Sequence, residues 1–551
     1  MVVTFTEKAG KELLTRISNE FIGYDLNLNI NEMYIGTFHS VCLRLLKEHS
    51  EYIESDNQYR MLDAFEQTYL VCRNIEDFNR LGGYSRHIRS KNLWKQSLEI
   101  CRYVNQMMEE RVDIKAMSED EDEDMRLLGK LVLRYRSLLE RKNVMDFSSI
   151  QTETWEMLDR DEGILQAVQD KIRYIMVDEY QDTNYIQEKL VFKLAGKTQN
   201  ICVVGDDDQG MYRFRGATIR NILDFTGNFE KDKCKVFYLD ENYRSEPGII
   251  RFYSSWMSDD NSQFDWGKYR FTKQLYACKS GKSDDPVVFS CGGDSLETEK
   301  DELLAFVKNL KANGNITDLN QIAFLFSSVK NDKVVALANF LEKNGINVYS
   351  PRSDMFFQRE EIKIALGCLI LMFPNYLDDL QNKKFKHLQE KHYNYYKNCV
   401  ALANKILEKN KNFAAWIKQK ADEHKNLQKT TNYAYVGLMY QMFAFEPFAS
   451  ILDIDIDNGV TDVRPTRNLA MLTQIIGKFE YLHKVDVFNG DYININTEKF
   501  FNLYLKLLFD GGISEYEDDS EYAPSGCVSF LTIHQSKGME FPIVFVDSLG
   551  K

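Results

Sequence analysis

No stretch of the 551 residues is long and apolar enough to cross a membrane as a helix. The longest nearly uncharged run, Ile364 to Phe373, has ten residues, about half of what a spanning helix needs. The first residues, Met-Val-Val-Thr-Phe-Thr-Glu-Lys, lack the apolar core of a secretory signal, so the chain reads as cytoplasmic. The ten cysteines stand at least thirteen residues apart, which excludes zinc-ligand spacing and a disulfide framework. They read as ordinary reduced thiols. Positive charge is not in excess: 69 Lys+Arg against 83 Asp+Glu leave a net charge of −14. That balance argues against a protein that coats nucleic acid by bulk charge, while a locally basic channel stays compatible with it. No repeat with a period of roughly 20 to 50 residues recurs, which excludes solenoids and propellers.

What is present is a chain with real cores. Apolar residues make up 44% of it, and at roughly 100–200 residues per domain the length implies about three or four domains. Val2 to Thr6 reads as a short strand, after which Thr6 offers an N-cap oxygen to a helix with Ala9, Leu13, Leu14 and Ile17 on one face. Met33 to His39 and the helix Val41 to His49 repeat that βα pattern. Residues 50–148 change character to helices, with Arg80, Arg86, Arg89, Lys91 and Lys95 ahead of an acidic run from Glu119 to Asp124, the pattern of an inserted helical domain. The α/β pattern returns at Ile172. Two apolar strands, Ile172 to Val177 and Ile201 to Val204, each end in acidic residues, and strands apolar throughout suit a parallel sheet covered on both faces. A third α/β stretch runs to about residue 360, with a strand at Ile322 to Phe326 and a helix at Val334 to Leu341. Residues 361–524 are again mainly helical, and strands at Val528 to Ile533 and Ile543 to Val546 follow them.

The strongest local signal is Val177-Asp178-Glu179-Tyr180-Gln181-Asp182-Thr183, directly after an apolar strand. Carboxylates at the C-terminal end of a parallel strand sit where α/β folds bind nucleotides. In such a place Asp178 suits Mg²⁺ held through water, and Glu179 suits orienting or deprotonating an attacking water. Taken alone, an Asp-Glu pair is also an ordinary solvated turn. A second strand end weakens that reading: Val203-Val204-Gly205-Asp206-Asp207-Asp208-Gln209-Gly210 leads into Met211-Tyr212-Arg213-Phe214-Arg215-Gly216-Ala217. Gln209 is placed to sense a terminal phosphate, and the alternation of rings and cations from Tyr212 to Arg215 offers faces for bases and charges for phosphates.

Further segments complete an ordered set: Thr4-Phe5-Thr6-Glu7-Lys8-Ala9, Gly36-Thr37-Phe38-His39-Ser40, Leu239-Asp240-Glu241-Asn242-Tyr243-Arg244-Ser245, and Thr532-Ile533-His534-Gln535-Ser536-Lys537-Gly538-Met539-Glu540-Phe541. With the two acidic strand ends they resemble motifs Ia, Ib, II, III, IV and V of the UvrD/Rep/PcrA group of superfamily 1 DNA helicases, in the family's order. Met145-Asp146-Phe147 and the segment Phe356 to Ile362 resemble two more family segments, so the likeness spans essentially the whole chain. The resemblance implies an α/β fold of two RecA-like parallel-sheet domains, each with a helical insertion. The motor domains would be 1–49 with 149–240 and 241–360 with 525–551, and the insertions 50–148 and 361–524. It implies an ATP-dependent motor that walks 3′ to 5′ on single-stranded DNA and opens duplex at single-strand/duplex junctions, with ATP and Mg²⁺ required and a protein loading partner conceivable. On the family pattern Asp178 serves Mg²⁺, Glu179 activates water, Gln209 reads the γ-phosphate and Arg244 acts as an arginine finger. Tyr243 stacks on adenine, and Gly538 and Glu540 belong to the nucleotide contact. Phe5, Tyr212 and Phe214 stack bases, while Thr37, His39, Arg215 and His534 touch backbone or base.

The sequence also departs from that pattern. A phosphate-cradling Gly-x-x-x-x-Gly-Lys-[Ser/Thr] loop is expected ahead of motif Ia, yet only three residues precede Thr4. Gly196-Lys197-Thr198 and Gly281-Lys282-Ser283 are decoys, because Val191 and Tyr276 stand where the first Gly belongs. Nor does the family's motif VI follow motif V. The expectation is therefore a helicase fragment that does not hydrolyse ATP alone. A DNA- or partner-binding protein on a decayed helicase scaffold and a part of a helicase–nuclease are the alternatives. Phe214 replaces a frequent Trp and Gly210 a frequent Ser. The basic, aromatic segment from Lys383 to Lys397 reads either as a duplex contact or as a solvated helix face.

Overall fold

Short apolar runs, each closed by a polar turn and followed by a capped helix, build two parallel sheets. The computed structural model describes residues 1–26, 29–50, 59–83, 88, 90, 92–212, 216–257, 270–278, 287–290, 296–350, 356–386, 388–453, 464–511 and 525–547. Arg86, Arg89, Lys91, Arg213, Phe214, Arg215, Gly281 to Ser283 and His387 lie outside the described residues. The chain divides into two compact units, Met1–Ser290 and Cys291–Lys551.

In the first unit the strands are β1 (Val2–Thr4), β2 (Ile35–Thr37), β3 (Arg60–Met61), β4 (Val144–Met145), β5 (Ile175–Val177), β6 (Ile201–Val203), β7 (Glu241–Asn242) and β8 (Tyr276–Ala277). The main sheet has the order β2-β1-β5-β6 and is parallel throughout, with Val3 opposite both Gly36 and Val177, and Met176 opposite Cys202. After β1, the Thr6 hydroxyl accepts from the Ala9 N–H at 3.2 Å, as the sequence predicts, and starts the helix Glu7–Gly23. After β2, Thr37 caps the helix Phe38–Glu48 in the same way. Val3, Ile175 and Val177 meet Phe38, Leu45, Ile150, Leu190 and Val191 in one core, and each such fully buried side chain contributes about 1.5–3 kcal/mol. Residues 59–145 pack a second core, in which Val71, Ile100, Val104, Val132 and Tyr135 join the helices Ala64–Arg73, Leu93–Glu109 and Glu123–Lys142.

One expectation is corrected here. The sheet is parallel, but it is not covered on both faces: Met176 is 49% exposed, Val204 51%, and Cys202 is exposed as well. Among the described residues β6 is an edge strand. The nearby run Val236 to Leu239 is open to solvent along its length, with Phe237 81% and Leu239 83% exposed. The apolar face of the first helix is likewise only partly covered, Leu14 remaining 41% exposed. Apolar character alone does not say whether a second layer is present.

The second unit holds β9 (Ile322–Phe326), β10 (Asn347–Tyr349), β11 (Cys527–Thr532) and β12 (Ile543–Val546), ordered β10-β11-β9-β12 and again all parallel. Between β10 and β11 the chain makes helices, including Glu360–Leu371, Glu390–Lys409 and Arg464–His483. The uncharged run from Ile364 lies largely in the first of these, where Ile364 to Ile370 are buried as core. No helix among the described residues is long and apolar enough to cross a membrane. The basic segment after Lys383 is packed and ion-paired within the chain at several points. Tyr393 and Tyr396 are buried, Phe385 stacks on Tyr376 at 5.1 Å, and Lys383 and Lys384 pair with Glu390 and Asp379 at 2.9 and 2.6 Å. The nine described cysteines are all free thiols.

Candidate functional site

At the C-terminal ends of β5 and β6 two acidic turns lie side by side. Asp178 follows β5 directly, its N–H held by the Val3 carbonyl at 2.9 Å, and its Oδ1 accepts from the Glu179 N–H at 3.0 Å. Glu179 adopts a left-handed backbone (φ 52°, ψ 42°), a conformation that costs a non-glycine residue about 1 kcal/mol or more and recurs at functional turns. The chain then turns into Tyr180–Asp182, all three buried. Gln181 joins the two strand ends. Its Nε2 donates to Glu179 Oε2 at 2.5 Å, and its Oε1 accepts from the Asp206 N–H at 3.0 Å. Gly205 makes that approach possible, because a Cβ there would stand 2.5 Å from Gln181 Oε1 and 2.7 Å from Ile222 Cδ1. On the second turn Asp206 Oδ2 accepts from Gln209 Nε2 at 2.8 Å. The sequence-predicted Asp178, Glu179 and Gln209 thus belong to one hydrogen-bonded assembly.

The acidic triplet is neutralised by two cations that sequence reasoning did not single out. Lys273 donates to Asp206 and Asp207 and lies 3.2 Å from Asp208. Arg270 forks onto Asp208 at 2.6 and 2.9 Å, and the Phe271 N–H donates to Asp207 at 2.9 Å. Burial works against charge on Asp206, but the Lys273 ammonium and the Gln209 amide outweigh it and hold the carboxyl below the usual range. Burial likewise opposes charge on Lys273, and Asp206 and Asp207 reverse that effect and raise it. The one signal in the sequence was the triplet itself, since three adjacent carboxylates call for a cation without saying where in the chain it lies.

A second group lies at the start of the sheet. The Phe5 and Tyr212 rings stack with centroids 5.0 Å apart and planes 30° from parallel. Thr37, expected on DNA, uses its hydroxyl to accept from the Ser40 N–H at 3.2 Å. His39 packs edge-on against Phe147 at 4.8 Å, with its Nε2 3.0 Å from the Gln151 amide nitrogen. Burial lowers its pKa to about 4, so at neutral pH the ring is uncharged and Nε2 accepts. Farther along, Arg244 is exposed, with its backbone N–H bonded to Asn242 Oδ1 at 3.0 Å. Tyr243 is exposed too, and its hydroxyl donates to Glu241, which with that carboxylate's charge pushes the phenol up to about 12. In the second unit His534, Gly538 and Glu540 occupy the loop between β11 and β12. The loop begins with Gln535 Oε1 accepting from the Thr532 N–H at 2.9 Å, and Gly538 has a positive φ of 84°. Phe214 and Arg215 fall outside the described residues. Gly196 ends the helix Tyr185–Ala195 and opens no strand-to-helix turn, in keeping with its being a decoy.

Asp178 fits a magnesium ion. Its carboxylate is exposed at the strand end, and Mg²⁺ prefers one or two hard carboxylate oxygens, keeping its remaining positions for water and phosphate.

Comparison with known proteins places the chain in a family. A family model for the UvrD/REP helicase N-terminal domain matches residues 1–230, and one for the UvrD-like helicase C-terminal domain matches residues 237–551. The chain is similar to the DNA helicase II of Haemophilus influenzae, with 25% identity over 562 residues that cover 99% of this chain and 71% of that protein. It is similar to the ATP-dependent DNA helicase PcrA of Bacillus subtilis at 26% over 576 residues, covering 100% of this chain and 71% of the relative. The PcrA of Staphylococcus epidermidis matches at 26% over 569 residues, covering 99% and 70%.

Proposed function

Because the chain belongs to the UvrD/REP helicase family, we propose that it is the motor part of an ATP-dependent helicase that moves 3′ to 5′ along single-stranded DNA. The motor domains are 1–49 with 149–240 and 241–360 with 525–551, and the helical insertions are 50–148 and 361–524. The observation that carries this reading is the Gln181 bridge, which ties Glu179 at 2.5 Å to Asp206, and through Asp206 to Gln209. A group that activates water and a group that reads the γ-phosphate need such a fixed relation, because misplacement by an ångström costs orders of magnitude in rate.

Glu179 orients and deprotonates the attacking water, and Gln209 reports the presence of the γ-phosphate. Arg244 supplies positive charge to the phosphoryl group in transfer. Asp178 would hold Mg²⁺, directly or through water, and the ion would there supply positive charge to the β- and γ-phosphates. Tyr243 stacks on adenine, and Gly538 and Glu540 take the ribose side. For DNA, the Phe5–Tyr212 stack opens to admit a base between its rings, each ring-to-base contact contributing about 1–3 kcal/mol. Phe214 adds a further ring. Arg215, Thr37 and His534 meet the strand, and His39 does so as a neutral donor.

No Gly-x-x-x-x-Gly-Lys-[Ser/Thr] loop occurs among the 551 residues. Without its amides and lysine the β- and γ-phosphates lack their main cradle, so this polypeptide by itself binds single-stranded DNA and turns over ATP slowly. The test is phosphate release with and without an oligo-dT strand, beside fluorescence anisotropy of the same strand. DNA binding weakened by Tyr212→Ala, with turnover near background, is the expected result. DNA-stimulated turnover abolished by Glu179→Gln overturns the slow-turnover part, and absence of DNA binding overturns the motor reading.

A further inference from the structure

The helix Leu93–Glu109 ends in a carboxylate that no step above uses. Glu109 Oε1 accepts from Ser148 Oγ at 2.6 Å, and Glu109 Oε2 accepts from Asn184 Nδ2 at 3.0 Å. Ser148 stands in the first turn of the helix Phe147–Arg160, and Asn184 is the N-cap of the helix Tyr185–Ala195, two residues past the buried turn that follows Glu179. One carboxylate therefore lies at the N-terminal ends of two helices, where their dipoles favour negative charge. It also meets a third element. A Cβ on Gly216, whose φ is +81°, would stand 3.2 Å from Glu109 Oε2. Next to Gly216, the Ala217 N–H donates to the Tyr212 carbonyl at 3.4 Å. Just past it, the Thr218 N–H donates to the Thr183 carbonyl at 3.1 Å, beside the Asn184 that Glu109 grips.

We propose that Glu109 is a positioning residue for DNA binding: from the helical insertion it fixes Gly216 and Ala217, and through them Tyr212, against the turn that follows Glu179 and against the helix Phe147–Arg160. The inference rests on the reading that Tyr212 stacks on DNA. Asn105, one turn earlier on the same helix, accepts from Gln67 Nε2 at 2.7 Å, and Gln67 also donates to Asp146 at 2.9 Å, so the insertion holds the start of the helix Phe147–Arg160 at two points.

The chemistry supplies a readout that a purely structural role would not move. Burial raises the Glu109 carboxyl to about 7 against its two hydrogen bonds, and the charged groups acting on it, Asp146 at the helix cap and Glu110 beside it, are carboxylates that raise it further. Below that value the group is a neutral acid with a single carbonyl acceptor, which glutamine imitates. Above it, both oxygens accept charge-assisted bonds, which glutamine cannot reproduce.

The experiment measures the affinity of the full chain for a fluorescein-labelled oligo-dT strand at about pH 5.5 and pH 8.5, for wild type, Glu109→Gln, Glu109→Ala and Tyr212→Ala, each checked for folding by a thermal scan. Expected are equal affinities of wild type and Glu109→Gln at the lower pH, and a loss of about threefold or more for Glu109→Gln at the higher. Glu109→Ala should bind more weakly at both. A Glu109→Gln to wild-type ratio that stays constant between the two pH values overturns the inference, also when Glu109→Ala fails to fold. If Tyr212→Ala weakens binding while both Glu109 variants match wild type, the DNA reading stands and the positioning role falls. If Tyr212→Ala binds like wild type, the DNA reading falls and takes the positioning role with it.

Discussion

Replacing Gly205 by alanine should damage the site through a single methyl group. The added carbon would lie 2.5 Å from Gln181 Oε1, 2.7 Å from Ile222 Cδ1 and 3.2 Å from the Tyr180 backbone nitrogen. Ile222 can yield at the end of its side chain, but the Tyr180 backbone, bonded to the Val204 carbonyl at 2.9 Å, cannot. Relief therefore comes by displacing Gln181, which breaks its bond with the Asp206 N–H. Overpacking of this kind costs about 1–3 kcal/mol, and a lost hydrogen bond that leaves a partly buried N–H unpaired adds about 1 kcal/mol. At about 2–4 °C per kcal/mol for domains of this size, the melting temperature of the first unit should fall by about 5–15 °C. Thermal scanning of the whole chain measures the fall, and hydrogen exchange in peptides covering residues 175–210 places it. Gly227→Ala is the control, since nothing stands within 4 Å of its Cβ position, and it should change stability by less than about 0.5 kcal/mol. A Gly205→Ala melting temperature within about 1 °C of wild type, with unchanged exchange at β5 and β6, would refute the bridge.

Three more outcomes are expected. Asp146→Ala removes the cap on the Ser149 N–H at 2.7 Å and strands the buried Gln67 and Tyr135 donors. The loss should be about 3–5 kcal/mol in urea unfolding, and a loss under about 1 kcal/mol would contradict the network. His39, lowered by burial to about 4 from its unfolded value of 6.5, favours the native state fully above pH 6.5 and loses that contribution as pH falls toward 4. His39→Gln should flatten the stability profile in that window, so parallel profiles of variant and wild type would rule the neutral ring out. Lys273→Met leaves Asp206, Asp207 and Asp208 with Arg270 alone, and should cost about 2–4 kcal/mol, since removing one partner of a largely buried ion pair leaves charge uncompensated. Equal urea midpoints with and without Lys273 would show the cluster to be solvated instead.

The strands were legible because burial imposes a pattern of types. Ile322 to Phe326, largely buried, is found where an unbroken apolar run predicts it, and Ile543 to Val546 is a strand as well, although Val544 and Val546 stay exposed. The Thr6 cap was legible because a hydroxyl before an apolar-periodic segment has one good use. Asp178, Glu179 and Gln209 were singled out because each follows a strand end that needs no polar group for packing, and the fold joins them in one hydrogen-bonded assembly. The partners of the Asp206–Asp208 triplet were not legible. Arg270 and Lys273 lie more than sixty positions away in a segment with no periodicity, and only the folded chain brings them to the turn. The same holds for Glu109, which on the sequence is one acid in Met-Met-Glu-Glu-Arg and becomes distinct only through Ser148 and Asn184. Thr37 and His39 were singled out by their place in a motif, whereas their local bonds to Ser40 and Gln151 depend on helix geometry that no spacing displays.

The position of β1 sets a clock on folding. It lies between β2 and β5, and the amino group of Met1 donates to the carbonyl of Tyr174 at 2.7 Å. A ribosome adding about 5–20 residues per second delivers β5 roughly 10–35 s after β1 has emerged. During that wait β1 has β2 beside it while its partner β5 is still to come, with residues 59–145 made in between. A strand left open this long is a template for any other extended chain. Pairing of β3 with β4, which sets Arg60 opposite Val144, brings the two ends of residues 59–145 together and shortens the distance that β5 must still search. A β3–β4 pair formed first would brace the sheet that surrounds it in sequence until β5 arrives.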